Sequence, residues 1–247
     1  MLEKVKNGVV SRVVNGVLDA VFPTACVGCG REGQYICTRC ENFFNETAPI
    51  CPVCQHSSFS GERHEDCTSR YSLDGFVSCW EYEGVVKSLL HDIKYNGITH
   101  AAKETTQRVS ILMMRDVHRF QPFLSFLSFP ETFIAYVPMY RKKERQRGFN
   151  QAAVFAKELA VIAKRQVVPL LEKIRDTKPQ IDLGKEERLL NVRGAFAPFA
   201  QPDFMGVRNI VLVDDVWTTG ATMKECCQVL KKAGVQKVWG FTIARTP

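Results

Sequence analysis

Apolar positions recur along the chain in two rhythms. In the first twenty residues they step by three and four: Val5, Val9, Val13 and Val17, joined by Val10, Val14 and Leu18. That stripe belongs to an amphipathic helix, which Phe22-Pro23 ends. Its polar side is thin in lysine and arginine, so packing on the body of the protein is expected rather than a membrane surface. Elsewhere the apolar residues run unbroken. Phe133 to Val137, stopped by Pro138, and Ile210 to Val213 read as strands buried on both faces. Val77 to Tyr82 reads as an edge strand, Val167 to Leu171 as a short strand, and Val238 to Ala244 as the last one. Helical spacing appears in Val85 to Lys94, with Gly97 in the capping place, and from Thr99 to about Phe120. It returns after Gly148-Phe149-Asn150-Gln151, with Ala152, Phe155, Ala156, Leu159, Ile162 and Ala163 on one face, and again in Met223, Cys226, Cys227 and Leu230. Gln121 to Pro130 is apolar and uncharged, and is expected to wrap against the core. Arg175 to Leu190 is polar, broken by Pro179 and Gly184, and reads as a long loop of the lid kind; Asn191 to Phe199 reads as extended. The alternation of strand and helix from Phe133 onward predicts an α/β fold, a parallel sheet with right-handed crossovers flanked by helices.

The 247 residues, 45% hydrophobic, allow one full core and a small accessory module. No apolar run approaches the ~20 residues of a membrane span, and Arg12, Gly16 and Asp19 interrupt any signal-peptide core, so a soluble cytoplasmic chain with no membrane span is expected. Seven of the ten cysteines fall between Cys26 and Cys67, and without an export signal such clustering argues for metal over disulfides. The knuckles are Cys26-x2-Cys29, Cys37-x2-Cys40, Cys51-x2-Cys54 and His64-x2-Cys67. Each places two ligands on one tight turn, and two knuckles close a tetrahedral zinc shell, so two structural zinc sites are expected. Neighbouring knuckles are expected to pair, with a cross-braced arrangement as the alternative. His64 is the expected eighth ligand because it keeps the x2 spacing; His56, two residues after Cys54, is its rival. Three regions follow: the helix at 1–21, a small N-terminal double zinc-ribbon module at 22–72, and an α/β domain at 73–247.

Charge divides the same way. Phe22 to Ser72 carries four arginines against six acids, −2, which taken from the chain's +7 leaves +9 on the remainder. Seven thiolates less the zinc charges add about −3 more to the module, a poor partner for phosphate backbones and a better protein-contact surface.

Candidate chemistry gathers at Asn209 to Met223, NIVLVDDVWTTGATM. Asp214 and Asp215 stand where the strand is expected to run out, and Thr218-Thr219-Gly220-Ala221-Thr222 leads into a helix. Unpartnered N–H groups at a helix N-terminus attract anions, glycine allows close approach, and threonine hydroxyls donate to phosphate. The acids repel that phosphate and suit a hydroxyl-rich sugar or its metal. Phosphate loop beside sugar-binding acids makes a pocket for a 5-phosphoribosyl group; the plainer reading is an Asp-capped strand-to-helix turn. Directly after Val137 and Pro138 the chain turns basic, with Arg141, Lys142, Lys143, Arg145 and Arg147 against Glu144. Ligands of open parallel sheets collect beyond the strands' carboxyl ends, so this turn is expected at the same crevice, for pyrophosphate or nucleic acid, a solvated loop being the plainer reading. Lys94 and Tyr95 are candidates for its wall, His91 reads as a solvated helix residue, and Cys79 as a core thiol.

The Asp-Asp-x-x-Thr-Thr-Gly-Ala-Thr loop resembles the phosphoribosyl pyrophosphate loop of type I phosphoribosyltransferases. With FPTACVGCG, LLHDIKYNG, RGFNQA and TKPQIDLGKEERLLNVRGAF, the chain resembles the ComF family over nearly all its length. Departures are His64 for a family cysteine and Trp217 where tyrosine is frequent. The resemblance implies a type I phosphoribosyltransferase-like parallel sheet behind a double zinc ribbon. It further implies binding of phosphoribosyl pyrophosphate with Mg²⁺, and a part in natural transformation through contacts with single-stranded DNA and other competence proteins. Asp214 and Asp215 would hold ribose hydroxyls and stabilise positive charge on the ring, and Thr218, Thr219, Gly220, Ala221 and Thr222 the 5-phosphate. Met139, Tyr140 and Arg141 would meet the pyrophosphate, with Arg147, Lys178 and Arg188 closing over it. Any enzymatic activity would be phosphoribosyl transfer to a nitrogenous acceptor that the residues do not identify.

Overall fold

The computed structural model describes residues 24–177, 184–199 and 207–247. The N-terminal apolar stripe and Lys178 lie outside them. The elements are α1 (Thr38–Glu41), β1 (Gly75–Glu81), α2 (Gly84–Tyr95), α3 (Thr99–Arg115), α4 (Val117–Ser128), β2 (Thr132–Tyr136), α5 (Arg141–Arg147) and α6 (Gln151–Ala163). They continue as β3 (Leu171–Lys173), α7 (Lys185–Val192), β4 (Phe196–Pro198), β5 (Asn209–Trp217), α8 (Ala221–Lys232) and β6 (Lys237–Arg245).

The unbroken apolar runs become a four-stranded sheet in the order β1-β6-β5-β2, every pairing parallel. Ile210, Val211, Leu212 and Val213 of β5 are all 0% exposed, as a strand covered on both faces must be. Alternate residues point opposite ways. Val211 and Val213 pack with Phe120 and Phe123 of α4 and with Phe155 and Leu159 of α6. Ile210 and Leu212 pack with Met223, Cys226 and Leu230 of α8. Cys79 is buried in the first of these cores.

Four expectations change. The helix beginning at Thr99 breaks at Asp116, whose carboxylate caps α4 by accepting from Arg119 N, and α4 then carries the apolar Gln121 segment as helix despite Pro122. Its phenylalanines at 120, 123 and 126 bury on one face, and that burial outweighs the lost backbone donor. The strand read at Val167 to Leu171 is reduced to one bridge, Val167 to Ile134, because Pro169 removes a donor. Its chain continues as β3, paired antiparallel with β4 outside the main sheet. The basic turn is itself a helix, α5, closed by Gly148 at φ 87°. Likewise Lys185–Val192 of the polar stretch is helical.

The cysteine-rich segment lies along the edge of β1. Glu46 bridges Trp80, Glu81 N donates to Asn45 O at 2.8 Å, and Phe76 N donates to Gly61 O at 2.8 Å. A covered edge offers no template for foreign strands. α3 fastens the first ribbon: the Glu104 carboxylate accepts from Tyr35 N and Ile36 N at 3.1 and 3.0 Å. Asp74 ties the second to the domain, pairing with Arg63 at 3.2 Å and Lys231 at 2.7 Å and accepting from Val238 N at 2.8 Å. Only 6% of the Lys231 side chain is exposed. Asp74→Ala leaves that ammonium without its carboxylate, and a loss of about 3 kcal/mol is expected. Urea unfolding measures it, and a loss below about 1 kcal/mol would assign the pair to the screened surface class. Among the described residues no helix is long and apolar enough to cross a membrane.

Candidate functional site

β5 does not end at its acids. Asp214 faces Thr242 of β6 in register, and pairing continues through Val216 and Trp217. Sequence reading ended the strand at Val213 because carboxylates interrupt an apolar run; the ladder holds because each carboxylate turns back onto the backbone. Asp214 Oδ1 accepts from Asp215 N at 2.9 Å, and Asp215 Oδ1 from Val216 N at 2.8 Å. Both line a cavity of about 520 Å³. Burial, then the charge of Asp215, push the Asp214 carboxyl well above the ordinary carboxylate range, while the ammonium of Lys94 draws it back.

Six cations share that wall: Lys87, Lys94, Lys143, Arg147, Lys173 and Arg188. Burial and the neighbouring Lys143 lower the pKa of Lys173. The guanidinium of Arg147 lies 5.4 Å over the Tyr95 ring and donates to Gln151 Oε1 at 2.8 Å. Lys143 is anchored by Asp176 at 2.6 Å and by Thr177 O at 2.7 Å. This excess of positive charge over two acids suits a ligand with several anionic oxygens.

The loop after Trp217 is shaped by that indole. Gly220 has φ 74°, and a Cβ there would stand 2.1 Å from the Trp217 ring, so both conformation and space require glycine. Trp217 is held by Phe76, ring centroids 4.2 Å apart. Gly220 gives α8 no side-chain cap, and Thr218, Gly220, Ala221 and Thr222 line the cavity at this helix N-terminus. Of the buried polar atoms without protein partners, Thr242 Oγ1 and Trp217 Nε1 belong to residues that line this cavity.

The structure brings Asp214, Asp215, Thr218, Gly220, Ala221, Thr222, Met139, Arg147 and Arg188 together, with Lys94 and Tyr95. Thr219 is not among the lining residues: its hydroxyl accepts from Ala221 N at 3.4 Å and its carbonyl from Gln55 Nε2 at 3.2 Å. Tyr140 and Arg141 are also displaced. At the start of α5 they line a neighbouring depression of about 560 Å³, with Lys142, Arg145 and Glu172, which meets the first cavity at Lys173. Sequence reading missed Lys87, Lys173 and Thr242. The lysines stand singly on separate elements and carry no local signal. Thr242, a hydroxyl inside the apolar run VWGFTIA, could have been noticed.

The knuckles gather into two clusters, Cys26 with Cys29, Cys37 and Cys40, and Cys51 with Cys54, His64 and Cys67, their ligand atoms within 4.8 Å of one another. Neighbouring knuckles therefore share a cluster. His64 Nε2 lies 3.0 Å from Ser57 O, which makes it the protonated nitrogen and leaves the Nδ1 lone pair, 3.4 Å from Cys54 Sγ, for a metal. His56 is outside the cluster and gives its carbonyl to Cys51 N at 2.9 Å. The donor sets fit zinc. Burial raises the Cys26 thiol, but backbone donors from Cys37, Gly28 and Cys29 outweigh it and lower it to about 6. Burial and the neighbouring thiols raise Cys40 to about 12. Four adjacent sulfurs cannot all ionise without a cation among them, and Zn²⁺ supplies it.

A family model described as the double zinc ribbon domain matches residues 17–68. The chain is 27% identical to competence protein F of Haemophilus influenzae over 222 residues, 89% of this chain and 84% of that protein. It is 27% identical to competence protein ComFC of Streptococcus pneumoniae over 236 residues, 89% of this chain and 99% of that one. It is also 25% identical to the DNA utilization protein YhgH of Escherichia coli K12 over 217 residues, 85% of this chain and 90% of that one.

Proposed function

We propose, from the chain's place in the ComF family, that it binds phosphoribosyl pyrophosphate with Mg²⁺ in the cavity around Asp214 and acts in the cytoplasm on DNA taken up during natural transformation. The observation that carries the ligand is the meeting, in one cavity, of two carboxylates, a glycine-opened helix N-terminus and six cations. The carboxylates accept from ribose hydroxyls. Thr218, Gly220, Ala221 and Thr222 receive the 5-phosphate, and Thr242 Oγ1 gains the partner that the protein does not give it. Lys94, Lys143, Lys173, Arg147 and Arg188 surround the pyrophosphate. The acidic pair would hold Mg²⁺, which would supply further neutralisation of charge. Should transfer occur, the carboxylates also favour positive charge developing on the ribose ring. Calorimetry with phosphoribosyl pyrophosphate and Mg²⁺ is expected to give saturable heat at one site per chain; wild-type protein giving no heat overturns the reading.

The DNA role rests on the second depression, where Arg141, Lys142, Arg145 and Lys173 face one acid, Glu172. Single-stranded DNA binding is expected to weaken steeply with salt. Replacing Arg141 and Arg145 by alanine should reduce the logarithmic salt slope by about 1.4, two phosphate contacts at roughly 0.7 each. An unchanged slope would remove α5 from the DNA path. The acidic ribbon is then the surface for protein partners in the same process.

A further inference from the structure

The second zinc knuckle and the phosphate loop are far apart in sequence and bonded in space. Gln55 closes the knuckle: its N–H donates to Cys51 O at 2.9 Å, and it holds φ 66°, a left-handed conformation uncommon for glutamine. From that backbone its side-chain amide donates to Thr219 O at 3.2 Å, across 164 residues. A second bond runs the other way. Lys224, on the first turn of α8, donates to Val53 O inside the knuckle at 3.2 Å, with its ammonium 5.7 Å over the Trp217 ring. Trp217 is the ring against which Gly220 packs. The knuckle therefore grips the loop at the carbonyl beside Gly220 and at the helix that follows. The 50–57 hairpin is itself closed through Cys51 N to His56 O at 2.9 Å and the bridge between Ile50 and Ser57, whose carbonyl also receives His64 Nε2–H.

We propose that Gln55 is a positioning residue for the phosphate loop, so that metal held by Cys51, Cys54, His64 and Cys67 sets the order of Thr218 to Thr222 and thereby the affinity for an anionic ligand. The part concerning affinity rests on the phosphoribosyl pyrophosphate reading; the part concerning loop order does not. The bond engages the carbonyl of Thr219, as Thr246 engages those of Trp217 and Thr218, so these loop carbonyls are held by protein donors. A carbonyl released from Gln55 is free to rotate toward an incoming phosphate and repel it.

Two variants separate the side chain from the backbone. Gln55→Gly removes the amide while accepting φ 66° more readily than glutamine does, so the knuckle keeps its fold. Gln55→Glu keeps shape but replaces a donor by an anion. Hydrogen exchange of ligand-free full-length protein is expected to quicken at least about fivefold across 216–224 in both variants, with two zinc ions retained per chain. Affinity for phosphoribosyl pyrophosphate with Mg²⁺ should fall about fivefold for Gln55→Gly, the loss of one ordinary hydrogen bond, and further for Gln55→Glu. Cys54→Ser, which opens the metal site, should reproduce the exchange change, and adding Gln55→Gly to it should add nothing. Exchange within twofold of wild type in both Gln55 variants overturns the proposal. Quickened exchange in a protein whose wild type gives no heat with the ligand leaves the positioning role standing and sinks the ligand reading instead.

Discussion

Asp215→Asn is expected to lower affinity for phosphoribosyl pyrophosphate with Mg²⁺ by at least about 100-fold, because two charge-assisted bonds to ribose hydroxyls become neutral ones or vanish. The fold should survive. Asp215 is only partly buried, its carboxylate bonds to its own neighbour's N–H, and asparagine Oδ1 accepts that bond equally well. Asp214→Asn should also weaken binding, and it carries a second signature. The folded protein holds the Asp214 proton more tightly than the unfolded chain does, through burial and then Asp215. Unfolding therefore releases a proton between the ordinary carboxylate range and the raised value, and stability declines as pH climbs through that window. Below it the carboxyl is protonated in both states and contributes nothing. Asp214→Asn removes the decline, so it should melt above wild type at neutral and alkaline pH and level with it in acid. Melting curves across pH, set beside calorimetry, check both halves. A variant that binds within tenfold of wild type would remove the acids from the ligand, and a melting difference independent of pH would remove the proton from the account.

Removing zinc should have the other large effect. The first ribbon has little core of its own: among the described residues, Cys26, Cys37 and Cys40 are buried together with Val85 packed on them. Structural zinc contributes about 10–16 kcal/mol to folding in small zinc modules, so such a ribbon without metal is not expected to hold its shape. Its collapse would free the Glu104 and Arg119 contacts and bare the edge of β1. A loss of roughly 5 kcal/mol to the whole chain corresponds to a fall of about 10–20 °C in Tm at this size. Elemental analysis should find two zinc ions per chain; one per chain would refute the second cluster, and a Tm unmoved by chelation would refute the structural role of both. Aggregation of the stripped protein, from the uncovered strand, is expected to accompany the fall.

What could be read in advance was what repeats or runs. The apolar run at Ile210 became β5 because a fully buried strand has no other composition, and the run at Phe133 became β2, a half-covered edge strand; the x2 spacing of the knuckles survives as two clusters because ligand geometry allows little else. The turn at Gly220 was legible since a glycine among small polar residues marks a tight backbone, although its packing on Trp217 was not. What failed was set by distant partners. Nothing near Asp214 says that β6 will prolong its ladder, nothing near Pro122 says that three phenylalanines will override it, and nothing near Thr219 says that Gln55 will take its carbonyl. Lys87 and Lys173 reach the cavity only because the sheet and helices converge there. Local chemistry is written in short motifs, whereas the composition of the cavity wall belongs to topology.

The sheet order has a consequence for biogenesis. β6, residues 237–245, lies between β1 and β5 and so supplies the interior strand that joins β1 to the rest of the sheet. A nascent chain on the ribosome can load metal and wind its early helices long before that strand exists. Until it emerges, β1 and β5 have no common neighbour and both cores lack a wall. The sheet therefore cannot join β1 to β5 until residues 237–245 have emerged, which makes this a slow, long-range pairing.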